Sequence, residues 1–375
     1  MSDVILRRDK SQNWFQRGLN GICFTMINTF IGLIAFALSA AAILILRPLC
    51  HKIGHVDHPG GRKAHSLATP LCGGLAIALT VVLLGIGMVP SRQFAGFAFG
   101  ITVLLVLGAL DDRKHVPAPV RLALQTLAVG AGMCFFGEVY LQNLGAIFGA
   151  EDFELGGHAI WFSIFAAVGI INAVNMVDGM DGLAGGFSVM IVATILVLAA
   201  GTSAVNTVLL CVTLGSVLGF LAFNLRMPWQ KHARIFLGDA GSLVLGFILT
   251  WFTIQAAQGP QAVIEPITAV WLFGLPLADT VYLMVSRVMR GKSPLAADSY
   301  HFHHLLQRLG LSPGWALYAW LAVAGAFMTA GLASQALGVS EATRCMAFVV
   351  VFAGYCLATN ALWARVRQRV LAPAA

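Results

Sequence analysis

Five short segments of this chain gather side chains able to handle protons, cations and phosphates. The first reads Gly108-Ala109-Leu110-Asp111-Asp112-Arg113. Adjacent carboxylates repel, which raises the pKa of one and suits it to accept a proton near neutrality. A hydrophilic stop at a helix end is the plainer reading. The second, Asn172-Ala173-Val174-Asn175-Met176-Val177-Asp178-Gly179-Met180-Asp181-Gly182, spaces Asn175, Asp178 and Asp181 evenly, each three residues after the last. On a helix these share one drifting face, and two Asp-Gly pairs let backbone approach a ligand closely. A Gly- and Asp-rich turn would explain the glycines but not the helical spacing.

The third segment, Arg234-Ile235-Phe236-Leu237-Gly238-Asp239-Ala240-Gly241-Ser242, leads into an apolar run. Asp239 fits an N-cap. It also fits a cation site, because Mg²⁺ takes one or two protein oxygens and completes its octahedron with water and phosphate. Asn175 with Asp239 makes such a sparse pair. The fourth is Asp298-Ser299-Tyr300-His301-Phe302-His303-His304, in the longest basic loop. Its spacing does not match the HExxH zinc pattern. His301, His303 and His304 suit diphosphate oxygens, helped by Arg287, Arg290, Lys292 and Arg308; a basic loop drawn to anionic lipid is the alternative. The fifth runs Asp57-His58-Pro59-Gly60-Gly61-Arg62-Lys63-Ala64-His65, then Thr69-Pro70-Leu71-Cys72-Gly73-Gly74. Arg62 and Lys63 there could hold a lipid phosphate, or supply positive-inside charge alone.

The elements that must position these residues are membrane spans. Of 375 residues, 58% are hydrophobic and only 10% charged, far below the roughly 25% charged of a soluble domain. Apolar runs of about 17–25 residues recur near 24–46, 71–89, 94–110, 119–136, 159–174, 183–200, 204–222, 240–257, 264–286, 314–334 and 343–363. The expected fold is therefore an all-α polytopic membrane protein of about eleven transmembrane helices. Residues 1–23 read as a basic N-terminal tail, 24–363 as one transmembrane domain, and 364–375 as a basic cytoplasmic tail. The first apolar run is too long for a signal-peptide core. Seven scattered cysteines form no zinc or disulfide framework.

Charge then orients the chain. The side holding the loops near 47–70, 111–118, 175–182, 223–239, 287–313 and the C-terminus has 16 of the 23 Lys and Arg, so it should be cytoplasmic. Four basic residues of the N-terminal segment lie on the other side. All five Glu are outside, whereas the inner face has eight acids, every one an Asp, and nine of the ten His. Such a face suggests a metal–phosphate site. No nucleic acid is expected as a partner.

These motifs, in this order and between these spans, resemble the polyprenyl-phosphate N-acetylhexosamine-1-phosphate transferases, and within them the WecA type that acts on UDP-GlcNAc and undecaprenyl phosphate. The similarity runs from about Val56 to His304. It implies eleven spans in a bacterial inner membrane, an outside N-terminus and a cytoplasmic active site. It also implies Asn175 and Asp239 as ligands of Mg²⁺, with Mn²⁺ as the other candidate ion. Asp178 and Asp181 would line the nucleotide site, Phe236 would stack on uracil with Asn224 nearby, and Asp111 and Asp112 would deprotonate or position the lipid phosphate. His301, His303 and His304 would lie over the diphosphate and sugar. A kinked helix is implied before that loop, where Gly274-Leu275-Pro276 supplies a break. Ser299 departs from the Arg common at its position, leaving one sugar or phosphate contact unassigned. A homodimer is an open arrangement.

The reaction so implied is attack of the polyprenyl phosphate oxygen on the β-phosphorus of the UDP-sugar, with UMP leaving. Direct attack and a phospho-aspartate at Asp111 or Asp112 both stay open. A phospho-MurNAc-pentapeptide transferase is the rival within the family, but its three consecutive histidines differ from His301-Phe302-His303-His304. A cation-coupled transporter is the rival from another class; it would place ionisable groups near the bilayer midplane, not at helix mouths on one side.

Overall fold

In a computed structural model of the chain, residues 2–58, 68–89, 91–227, 229–294 and 300–371 are described, with side chains from Met26 to Gln368. The one sheet among them pairs β1 (Val56–Asp57) with β2 (Thr69–Pro70), antiparallel. All else regular is helical. Among the described residues, eight helices are long and apolar enough to cross a membrane. These are the Met26–Ile53 part of α1 (Ser2–Ile53), α3 (Arg92–Asp111), α4 (Ala118–Leu127) with its extension to Phe136, and α5 (Ala159–Val177) with a short lead-in. The other four are α7 (Thr207–Asn224), α8 (Gly238–Ala257), α12 (Pro313–Ala336) and α13 (Glu341–Leu371).

The remaining three expected spans are also helical, with differences. Two, α2 (Gly73–Met88) and α6 (Leu183–Leu198), have only 16 residues, or about 24 Å at 1.5 Å per residue, short of a bilayer core of about 30 Å. The third is broken: α9 (Pro266–Leu272) and α10 (Gly274–Met289) meet at 74°. Pro276 stands in the first turn of α10, and the bend falls at Phe273, beside the expected Gly-Leu-Pro break. Past α10, a seven-residue helix α11 (Phe302–Arg308) precedes α12. The expected tails differ in backbone: α1 is continuous from Ser2 and α13 continues to Leu371. The first proline of the chain is Pro48, so none breaks the helix before it.

The helix α8 is the central post. In its apolar window 94% of residues are buried, against 6% in α13, which faces the surroundings almost throughout. An apolar helix gains no hydrophobic drive toward its neighbours in lipid, so close shape fit must hold it. Phe97 of α3 meets Trp251 edge-on, ring centres 4.9 Å apart, and Thr250 bonds back to the Gly246 carbonyl at 2.7 Å. The extension of α4, Ala128–Phe136, is a π-helix that the apolar pattern did not signal. Gly96 and Gly132 bring it against α3; a Cβ on Gly96 would stand 2.4 Å from the Gly132 carbonyl oxygen.

Candidate active site

Backbone packs directly against the first turn of α8 on two sides. A Cβ on Gly108 would stand 2.2 Å from the Ala240 Cα, and one on Gly74 would stand 2.3 Å from the Gly241 Cα. Only glycines allow α3 and α2 so near. Gly73 and Gly74 donate their N–H groups to the Phe236 and Leu237 carbonyls at 3.0 and 3.1 Å, while Phe236 donates to the Pro70 carbonyl at 2.8 Å. The Thr69–Gly74 part of the fifth motif is thus a cradle for residues 236–239. Gly238 turns into the helix at φ +75°, a conformation that costs glycine little. Arg62, Lys63, Asp298 and Ser299 lie outside the described residues.

The two adjacent aspartates part company. Asp112 accepts the N–H groups of Asp239 at 2.8 Å and Ala240 at 3.4 Å, capping α8 from another helix. Asp111 turns away: it accepts from the Val116 N–H at 2.8 Å and pairs with Arg121 at 3.1 Å. The N-cap that Asp239 could have been is therefore supplied by Asp112, and the Asp239 carboxylate is left for the site. Asn175, in the last turn of α5, donates to Asp239 Oδ1 at 2.7 Å and to Ser242 Oγ at 2.8 Å.

Beyond Asn175 the chain turns at Asp178-Gly179. Asp181 forms a 2.6 Å ion pair with Arg226, a residue the motif reading passed over because it sits alone after α7. Asn224 spends both ends of its amide on backbone: it accepts from Gly182 N–H at 2.7 Å and donates to the Ile235 carbonyl at 2.9 Å. It thereby ties the Asp181 turn to the Phe236 segment. Phe236 is half-buried beside that tie.

The histidines pack over the same turn. His303 is buried, and a Cβ on Gly179 would stand 2.3 Å from its Nε2. Its ring lies 4.2 Å from that of His304 and 5.5 Å from that of His301, centre to centre. His301 Nδ1 lies 2.9 Å from Asp279 Oδ2, a carboxylate of α10 that the sequence marked only as an inner acid. Arg287 is buried and donates to the Pro294 carbonyl at 2.8 Å; Arg290 donates to Ser286 and lies 4.5 Å over the Tyr300 ring. Lys292 is exposed. Histidines and turn thus converge, while Arg287 and Arg290 engage Pro294 and Tyr300.

Charge explains what the pocket lacks. Burial, then the negative charge of Asp239, raises Asp112 to about 7. Burial, then Asp239, Asp112 and Asp181, raises Asp178 to about 8. The His303 imidazole is pushed well below its usual value by burial, then by His304 and His301. Asp112 and Asp178 both feel the negative charge of Asp239, and the chemistry of the donor set fits a hard cation. Among the described residues no three His, Cys, Asp or Glu side chains converge into a cage. A cation would take one or two protein oxygens and complete its shell from water and phosphate, as Mg²⁺ does. Asp239 offers a carboxylate and Asn175 an amide, which carries both a donor and an acceptor.

Residues 94–257 match the Glycosyl transferase family 4 profile. The chain is 33% identical over 356 residues to an Escherichia coli K12 protein named undecaprenyl-phosphate alpha-N-acetylglucosaminyl 1-phosphate transferase, covering 89% of this chain and 92% of that protein. It is 32% identical to a protein of the same name from Yersinia pestis, covering 86% of this chain and 89% of the other. A Bacillus subtilis relative, named a probable undecaprenyl-phosphate N-acetylglucosaminyl 1-phosphate transferase, is 34% identical over 74% of this chain and 78% of its own length.

Proposed function

The chain belongs to the polyprenyl-phosphate sugar-1-phosphate transferases of glycosyl transferase family 4, and from that premise we propose that it transfers N-acetylglucosamine 1-phosphate from UDP-GlcNAc to undecaprenyl phosphate, releasing UMP. The observation that carries the reading is the meeting of Asp112, Asn175 and Asp239 at the N-terminus of α8, with the Asp178 turn and His303 beside it.

In this reading Asn175 and Asp239 would hold Mg²⁺, which when bound would supply positive charge beside the diphosphate. The N-terminus of α8 adds its own attraction for phosphate. Asp112 keeps that helix end in place and, with a pKa near 7, is suited to receive or hold a proton at the lipid phosphate. Arg226 and Asp181 border the nucleotide, and Phe236 offers its ring to uracil. The histidines face the diphosphate and sugar. The clustering of Lys, Arg and Asp on one side supports a reaction on the cytoplasmic side of the inner membrane. The product is then the first lipid-linked intermediate of a surface glycan such as O-antigen or common antigen.

The test is a transfer assay with purified protein, undecaprenyl phosphate and Mg²⁺, the lipid product being identified by mass spectrometry. UDP-GlcNAc is expected to give a GlcNAc-diphospholipid and stoichiometric UMP, with loss of turnover on chelation. A product formed only from UDP-MurNAc-pentapeptide, or release of UDP in place of UMP, overturns the proposal.

A further inference from the structure

Asp279 is 1% exposed and lies on α10, just beyond the 74° bend. Burying a carboxylate is costly unless hydrogen bonds repay it, and this one has three partners from three directions. Its Oδ1 accepts the backbone N–H of Phe302 at 3.0 Å and the Tyr355 hydroxyl of α13 at 2.8 Å. Its Oδ2 lies 2.9 Å from His301 Nδ1. The Phe302 N–H can only donate, and the Tyr355 hydroxyl is directed at the same oxygen as a second donor. A carboxyl that accepts at each of these contacts leaves the proton between Oδ2 and the imidazole on Nδ1.

We propose that Asp279 is a positioning residue that holds His301 with its proton on Nδ1, leaving Nε2 as the nitrogen that faces the reaction. A histidine's second nitrogen takes its role from the hydrogen bond the first one makes. The inference rests on the proposed transferase reading for its consequence, not for its geometry.

The last helix completes the device. Although α13 is almost unburied across the membrane, its inner half has a polar strip aimed at this corner. Tyr355 reaches Asp279, Asn360 accepts from the Tyr282 hydroxyl at 3.1 Å, and Trp363 donates to the Tyr300 carbonyl at 3.2 Å. The Trp363 and Tyr300 rings lie 4.8 Å apart. The strip fastens both the residue before His301 and the carboxylate behind it, which a helix needed only to anchor the chain would not require.

Full-length protein with ¹⁵N-labelled histidine, the His301 signals being assigned through H301Q, reads the tautomer directly. The wild type is expected to show a proton on Nδ1. Asp279→Asn keeps the volume and one oxygen for Phe302 and Tyr355 but turns an N–H toward His301, so the proton should move to Nε2. D279N should lower kcat by about 10–100-fold, the usual cost of losing an orienting partner, with the KM for UDP-GlcNAc within about threefold. Y355F should fall the same way by less, and D279N/Y355F should be no slower than D279N. An unprotonated Nδ1 in the wild type, or a D279N enzyme with shifted tautomer and undiminished kcat, overturns the inference. If wild type transfers no GlcNAc phosphate, the substrate reading fails instead; the nitrogen signals still decide the Asp279–His301 relation, because they need no substrate.

Discussion

Asp112 Oδ1 accepts the backbone N–H of Asp239 at 2.8 Å, across 127 residues of chain. Asp111, its neighbour, faces Arg121 instead. The pair is therefore one cap and one anchor. Replacing a capping side chain by alanine costs about 0.5–2 kcal/mol. We expect D112A to lower thermal stability and to lose turnover almost completely. D111N, which keeps an acceptor for Val116, should lose less than D112N in the same transfer assay. Equal losses for D111N and D112N would mean that the cap is not what distinguishes them.

Asp239→Asn should abolish transfer while the protein still inserts and unfolds at a normal temperature. The amide keeps the volume and removes the charge needed for a hard cation. Near-normal activity at saturating Mg²⁺ would remove Asp239 from the metal site.

Asp178 supplies a pH test on stability. Its folded value of about 8 lies above the ordinary 3.8, so between these limits the folded protein holds a proton that the unfolded chain has released. Stability from this group therefore falls as pH rises from about 4 to about 8 and levels off above. D178N lacks the titration. In nucleotide-free, chelated samples, its melting temperature should gain on the wild type between pH 5.5 and 8.5. Parallel curves would show that the carboxyl is not held neutral.

Arg226 and Asp181 should act as a unit. R226Q and D181N are each expected to raise the KM for UDP-GlcNAc about tenfold, and the double variant should be little worse than either single, as for directly contacting groups. Additive effects in the three variants' steady-state constants would separate the two residues.

Gly179→Ala puts a methyl group 2.3 Å from His303 Nε2, whereas the same change at Gly149 meets nothing within 4 Å. G179A should lose most of its activity by displacing the histidine segment, and G149A should match wild type. An active G179A protein would mean that the close packing of turn and histidine is dispensable.

Much of this site was legible in the chain. Asn175, Asp239 and the Asp-Gly turn stood out because each motif is short and its chemistry is local. The spans were legible from apolar length, and the break near Gly274-Leu275-Pro276 from proline. What could not be read was pairing at a distance. Arg226 finds Asp181 across 45 residues, and Tyr355 finds Asp279 across 76; neither spacing leaves a local signal. Asp111 and Asp112 looked alike because neighbouring helical side chains differ only in direction. Which one faces Asp239 is settled by the approach of Gly108 to Ala240, a property of two helices together. The π-helix of Ala128–Phe136 is silent for the same reason, being composed of residues equally at home in an α-helix.

The glycine contacts of Gly74 and Gly108 with the start of α8 also bear on how such an enzyme can diverge. A carboxylate placed by side-chain packing can drift, because neighbours can be exchanged and the shift absorbed. Asp239 is placed in part by main chain lying on main chain at Gly74 and Gly108, with the Asp112 cap added to it. A side chain at Gly74 or Gly108 would instead have to displace the start of the helix as a whole.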